Sequence, residues 1–412
     1  MVAEPNPSTP AALEHPLPAG MRDLLPEEAE SRRALARKVL DSFALHGYAL
    51  VTPPAFEFAD VLERGLGTMD RGDVLRFVEP ESGEVAALRP DMTPQIARMI
   101  ATRLRASPPP FRLCYEGTVL RRRSGRARKH RQIPQVGVEL AGVLGPEGDL
   151  ELLAVAADAL RASGLERFKI DLGDAGIVRA LLADAPVKVA ARISDALSRK
   201  DDAELEEHVS ASEDAYPEGA TRVPLLRELM RLHGGREAIG AGLDLLKGTV
   251  AEPATRRLLA VFDAARAQGL ERELTADLGE VRGFAYYTGP IFHIFAPGPG
   301  EAIGSGGRYD ELLERFGAPM PAVGFALDLD RLSWALRSAD VATEVTERVV
   351  VVGAHGHARL VALRARGIAA VAVQGREAAL DYARAWGFSH VHDDALSIDV
   401  ATGQASPLGQ GV

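Results

Sequence analysis

The most chemically distinctive stretch of this 412-residue chain is a run of cations. Arg121, Arg122, Arg123, Arg126, Arg128, Lys129 and Arg131 crowd together with His130, and no acid stands among them. A bare charge run is usually a solvated face. The chain as a whole, however, carries 48 Lys+Arg against 58 Asp+Glu, a net charge of −10, so this cluster reverses the local field. It joins two apolar segments that read as strands, Phe111 to Leu120 and Gln135 to Ala141, and an antiparallel hairpin would hold it in place. Gln135 and Glu139 stand at i and i+4 in the second strand and so face one side of a sheet. An amide and a carboxylate beside arginines suit a zwitterionic ligand. The carboxylate would meet an ammonium or imidazole, and an arginine would meet a carboxylate or phosphate. The same two residues would equally suit the solvated face of an edge strand, and the pattern leaves both readings open.

Other familiar chemistry is missing from the sequence. There is no Gly-x-x-x-x-Gly-Lys-Ser/Thr loop, no dinucleotide fingerprint after a strand and no Gly-x-Ser-x-Gly elbow. His355 with His357 and His390 with His392 are close pairs without a third ligand nearby, so a solvated turn and a strand end are expected there and no metal. The single cysteine, Cys114, excludes an intramolecular disulfide and a cysteine metal cluster, which points to a reducing, cytoplasmic compartment. No apolar run approaches the roughly 20 residues that span a bilayer. Met1 to Pro18 lacks the basic-then-apolar order of a signal peptide. The acidic balance also argues against non-specific nucleic-acid binding as the main task.

The elements that must position the candidate site can be read along the chain. Residues 1–17 are Pro/Ala-rich without periodicity, a disordered tail. Leu35, Val39, Leu40 and Phe43 predict a helix from Pro26 to His46, stopped by Gly47 and followed by a strand at Tyr48 to Val51. A second helix is expected at Gln95 to Arg105. Ala- and Leu-rich sequence with acidic runs makes 177–251 a largely helical insertion between 18–176 and 252–340. Strand-like sequence returns from Leu274 to Phe295. Gly298 to Gly307 reads as a glycine-rich turn, Tyr309 to Phe316 as a short helix, and Ala322 to Leu327 as a buried strand entering a helix at Asp330. Residues 344–412 alternate strand and helix as a small α/β unit. Tyr286 and Tyr287, read as strand neighbours, would face opposite sides.

Several of these segments form an ordered series. Pro18-Ala-Gly-Met-Arg-Asp-Leu-Leu-Pro-Glu-Glu, His46-Gly-Tyr-Ala-Leu-Val-Thr-Pro-Pro, Leu88-Arg-Pro-Asp-Met-Thr-Pro and Gln135-Val-Gly-Val-Glu come first. Val281-Arg-Gly-Phe-Ala-Tyr-Tyr-Thr-Gly, Gly304-Ser-Gly-Gly-Arg-Tyr-Asp and Ala322-Val-Gly-Phe-Ala-Leu-Asp-Leu-Asp-Arg-Leu follow. In order and spacing they resemble the class II aminoacyl-tRNA synthetase core, its histidyl branch in particular, across about Pro18 to Arg337. The resemblance implies an α+β fold: an antiparallel sheet flanked by helices, with a helical insertion and a small C-terminal α/β unit. It also implies residue roles. Asp91 and Thr93 stand where that family holds the α-ammonium of histidine, with Gln135 on the same wall. Glu139 and Tyr287 stand where it meets the imidazole, Arg282 where it meets the carboxylate, and Tyr286 beside them as an aromatic wall. Asp91 is one methylene shorter than the usual glutamate, and Ala285 replaces the usual aspartate.

The nucleotide half departs further. An Arg-x-Glu pair becomes Arg121-Arg122-Arg123, an adenine-stacking aromatic becomes Ile133, and a glycine becomes Asp328, although Arg331 remains. A carboxylate near ATP phosphates is repulsive. A pocket that keeps the amino acid and loses the nucleotide resembles the regulatory-subunit family of ATP phosphoribosyltransferase. That resemblance implies L-histidine as effector, bound by Asp91, Thr93, Arg121, Gln135, Glu139, Arg282, Tyr286 and Tyr287. It further implies a short catalytic subunit as partner, a homodimer within a hetero-oligomer, and no catalytic residue, cofactor, metal, membrane or tRNA. The alternative is an active histidyl-tRNA synthetase with degenerate ATP motifs.

Overall fold

An apolar stripe of Leu35, Val39 and Phe43 behind the acids Glu27 and Glu28 forms the helix Pro26–Leu45. Gly47, at φ +82, turns the chain out of it, a conformation glycine adopts without strain. In the computed structural model, residues 17–66, 74–121, 131–210, 216–217, 219–280, 286–341, 347–353 and 356–408 are described. The chain divides into two compact units, Met1–Leu24 with Arg32–Val341, and Leu25–Ser31 with Ala342–Val412.

In the larger unit β1 (Ala49–Leu50) is followed by a small antiparallel sheet of β2 (Phe56–Phe58), β3 (Arg76–Val78) and β4 (Val85–Leu88) in the order β2-β4-β3. The helix Thr93–Thr102 begins two residues before the expected Gln95, with a proline in its first turn where no N–H is needed. Then β5 (Phe111–Leu120) and β6 (Gln132–Ala141) make the expected antiparallel hairpin, pairing Leu113 with Glu139 and Gly117 with Gln135. The basic residues 122–130 between them lie outside the described residues.

Six further strands complete a nine-stranded sheet: β7 (Lys169–Asp174), β8 (His233–Gly234), β9 (Leu274–Asp277), β10 (Pro290–Phe295), β11 (Gly304–Arg308) and β12 (Ala322–Asp328). Its order is β1-β5-β6-β12-β11-β10-β7-β9-β8, antiparallel except for the β1–β5 and β7–β9 pairs. This is the α+β arrangement expected. Because β6 lies between β5 and β12, the edge-strand reading of Gln135 and Glu139 is excluded. The helices Ala175–Leu181, Val187–Arg199, Asp202–Ser210, Gly219–Leu229, Arg236–Leu245 and Glu252–Ala265 share one apolar core with the sheet: Leu226, Ile239 and Leu258 cluster with Leu152, Leu160 and Leu172.

Two expectations are corrected. Gly304, Gly306 and Gly307 belong to β11, not to a turn. A Cβ on Gly306 would come within 2.4 Å of the Gly324 carbonyl oxygen, so the glycines there permit close strand approach. The helix expected at Tyr309 to Phe316 is only a 3-10 turn, Leu313–Phe316.

The second unit holds β13 (Arg348–Val352), β14 (Ala369–Ala372), β15 (His390–Asp393), β16 (Leu396–Asp399) and β17 (Ala405–Pro407) in the order β14-β13-β15-β16-β17. The helices Gly356–Ala365 and Arg376–Trp386 connect the parallel strands β13, β14 and β15. Its first two strands and both helices were legible as an alternation, whereas the short strands after His390 were not. Among the described residues no helix is long and apolar enough to cross a membrane.

Candidate ligand-binding site

Paired residues of neighbouring strands share a face of the sheet. One such face runs along β5, β6, β12 and β11 and is floored by small residues. Gly117 pairs with Gln135, Tyr115 with Gly137, Glu139 with Gly324, Gly137 with Ala326, and Ser305 with Ala326. Glu139 stands at one end of this floor and Gln135, opposite Asp328, at the other. The glycines make room for what lies above them. A Cβ on Gly324 would come within 1.9 Å of Glu139 Oε2, and one on Gly137 within 2.5 Å of the Tyr115 hydroxyl.

Glu139 is 2% exposed and Asp91 4%. The Glu139 carboxyl accepts the Thr93 hydroxyl at 2.6 Å and also that of Tyr309. Asp91, just ahead of the Thr93–Thr102 helix, accepts the Tyr286 hydroxyl at 2.7 Å. The Tyr286 ring lies 5.0 Å from Tyr287 and 5.5 Å from Tyr309 between centroids. Thus Tyr286 and Tyr287 do not face opposite sides as expected. They belong to a turn ahead of β10, where strand alternation does not apply. Gln135 is nine-tenths buried, and its amide oxygen has no partner among the described residues. Arg121, at the end of β5, donates Nε to the Pro90 carbonyl at 2.7 Å and acts electrostatically on Asp91.

Burial dominates the electrostatics. It pushes the Glu139 carboxyl up to about 8, with the Asp91 charge adding and the hydroxyl donors opposing. Asp91 is likewise raised by burial, with the Arg121 charge and the Tyr286 hydroxyl opposing. Burial and the carboxylates raise the phenols of Tyr115, Tyr286, Tyr287 and Tyr309, which therefore remain neutral donors. Asp91 also accepts the backbone N–H groups of Met92 and Thr93, whereas Glu139 meets hydroxyl donors. The Gln135 amide oxygen has no partner among the described residues, so acceptor capacity is left for a ligand's N–H groups.

The far end of the floor is arranged differently. Asp328 caps the helix Leu329–Ser338, accepting from the Asp330 N–H at 3.0 Å and the Arg331 N–H at 3.1 Å. It also pairs with Arg331 Nε at 3.3 Å. Arg331 further donates to the Ala302 carbonyl at 2.6 Å and pairs with Glu301. Ile133 is buried in an apolar cluster with Met92, Tyr115 and Tyr286.

Of the residues singled out in the sequence, Asp91, Thr93, Glu139, Tyr286 and Tyr287 converge on one enclosure, with Gln135 and Arg121 toward its other end. Arg282 lies outside the described residues. Tyr115 and Tyr309 were missed. Tyr309 followed a glycine run read as a turn, and Tyr115 could be placed opposite Gly137 only through the hairpin register. Among the described residues no group of His, Cys, Asp and Glu could hold a metal ion.

Residues 20–332 match the family model described as Histidyl-tRNA synthetase. The chain is 37% identical over 391 residues to the ATP phosphoribosyltransferase regulatory subunit of Syntrophotalea carbinolica, covering 91% of this chain and 89% of that one. It is 43% identical over 326 residues to the regulatory subunit of an Anaeromyxobacter species, covering 79% and 94%. It is also similar to the crystal structure of an ATP phosphoribosyltransferase regulatory subunit/histidyl-tRNA synthetase from Bacillus halodurans. The TM-score is 0.77 at 28% identity, over 93% of this chain and 98% of that one. On its sheet order, its matched core and relatives alike over most of both chains, this chain belongs to the ATP phosphoribosyltransferase regulatory subunit family, which shares the histidyl-tRNA synthetase fold.

Proposed function

We propose that this chain is a non-catalytic subunit that binds L-histidine and reports it to a short catalytic subunit of ATP phosphoribosyltransferase, giving feedback control of the first step of histidine biosynthesis. The observation that carries the reading is the buried Asp91–Glu139 pair, on a sheet face whose other end carries the Gln135 amide oxygen, without a partner among the described residues. In this reading the ligand ammonium meets Asp91 and Gln135, and the imidazole meets Glu139 and Tyr287. Arg121 and Arg282 face its carboxylate. Histidine must bind one state of the assembly better than another, and a coupling of about 1–3 kcal/mol suffices for useful feedback. The assembly is read as a cytoplasmic hetero-oligomer built on a homodimer of this chain, needing neither cofactor nor tRNA. Isothermal titration of the full chain with L-histidine tests the reading: saturable one-site binding is expected, and absence of binding would leave only a scaffold.

The retained Arg121 and Arg331 favour a second reading, an active histidyl-tRNA synthetase. Against it, Arg331 is already engaged by Asp328, Glu301 and the Ala302 carbonyl. Histidine-dependent ATP–pyrophosphate exchange separates the two, and turnover above background would establish the enzyme.

A further inference from the structure

Two carboxyl groups share the enclosure around Thr93 and the tyrosines. Among the described residues Asp91 meets the Met92 and Thr93 N–H groups and one arginine's charge, whereas Glu139 meets hydroxyls alone. From β5 come the neutral phenol of Tyr115 and, at the strand end, Arg121, whose charge acts on Asp91. From the segment before β10 come Tyr286 and Tyr287, and from the end of β11 Tyr309. From β12 comes Gly324, with no side chain at all. Beyond the sheet, Tyr48 feels the Glu139 charge but is bonded to Glu151 at 2.9 Å. Among the described residues, no cation is one of the main influences on Glu139. Water is also largely excluded, since both carboxyls are more than nine-tenths buried. Two carboxylates so placed cannot both ionise cheaply, so one proton stays until another cation arrives.

We propose that this enclosure is a proton-exchanging histidine sensor, in which the bound ligand's ammonium and imidazole N–H replace a proton held by the Asp91–Glu139 pair. This rests on the reading of the site as a histidine site. The balance is simple: the ligand-free pair holds one proton, the liganded pair holds the zwitterion, and the proton leaves to solvent. Thr93 and Tyr309 donate to Glu139, so they favour its ionised form and set how readily the proton departs. The consequence is regulatory. Histidine affinity rises with pH while the free site is still protonated, so feedback tightens in an alkaline cell and relaxes in an acidified one.

The test is titration of the full chain with L-histidine in buffers of different ionisation enthalpy at pH 7, 8 and 9. Close to one proton should be released per histidine at pH 7, falling to zero or to net uptake by pH 9, where part of the free ligand must gain a proton to bind as its ammonium, and affinity should rise about fivefold from pH 7 to pH 8. Glu139→Gln should abolish most of the release and change affinity by less than about twofold over that interval. Tyr309→Phe removes a donor from Glu139 and should move the pH curve upward, a shift that misfolding would not produce. In the ligand-free wild type at pH 7, infrared difference spectra against Glu139→Gln should show the carbonyl stretch of a protonated carboxylic acid. Histidine binding with no proton release at any pH overturns the inference and leaves the histidine reading standing. Absence of binding at every pH overturns both.

Discussion

The two ends of one sheet face treat charge in opposite ways. At the Glu139 end, two buried carboxyls meet hydroxyls, two backbone N–H groups on Asp91 and the charge of one arginine. At the Asp328 end the cation Arg331 is paired with two carboxylates and a carbonyl. Burying acceptors without their complement costs stability, and such a cost persists where a ligand supplies the complement. A cation already paired by its own chain has little left to offer a phosphate. The floor of small residues is common to both ends, so the difference lies in a few side chains above the same scaffold. In the proposed reading the first end receives the ligand, whereas the second has filled itself.

This contrast can be broken in graded steps. Glu139→Ala removes the carboxyl from the receiving end and should lower histidine affinity by about 100-fold or more in titration calorimetry, from the loss of a charge-assisted bond. Gly324→Ala places a Cβ against Glu139 Oε2 and should displace that carboxyl. About tenfold or more of the affinity should be lost, with about 1–3 kcal/mol of stability in urea unfolding. Tyr309→Phe deletes one hydroxyl bond to Glu139, and at pH 8 affinity should fall about 3–10-fold. Asp328→Ala acts only on the filled end. It should cost about 1 kcal/mol through the lost helix cap, read as a lower Tm, while histidine affinity stays within about twofold. An Asp328→Ala effect on histidine as large as that of Glu139→Ala would erase the distinction between the ends.

Stability against pH sharpens the same point. Burial raises the folded-state Glu139 carboxyl from its ordinary 4.5 to about 8. A raised acid stabilises the fold below its unfolded-state value and loses that contribution as pH rises through the folded one. The ligand-free Tm should therefore carry a component that falls between about pH 5 and pH 8, absent in Glu139→Gln. Saturating histidine should flatten it.

Much of this was legible in the sequence because it rests on local pattern. The β5–β6 hairpin follows from two apolar runs around a polar loop, and Asp91, Thr93 and Glu139 are recognisable from the ordered segments that carry them. What escaped depends on register and distant partners. Glycine is a turn residue by propensity, so β11 was read as a turn, yet its glycines exist because β10 and β12 crowd them. Tyr286 and Tyr287 were given strand alternation, but the chain turns there and both rings reach one cluster. Asp328 read as a repulsive carboxylate, whereas its position at a helix start makes it a cap as well as a partner for Arg331.

The central claim is that the receiving end reports histidine to a catalytic partner. The most direct measurement is the rate of the complex reconstituted with a short catalytic subunit, taken with and without L-histidine, for the wild type and for Glu139→Gln. The account predicts inhibition of the wild-type complex that the variant loses or needs about tenfold or more histidine to reach. Equal inhibition of both complexes at the same histidine concentration would place the sensor elsewhere and contradict it.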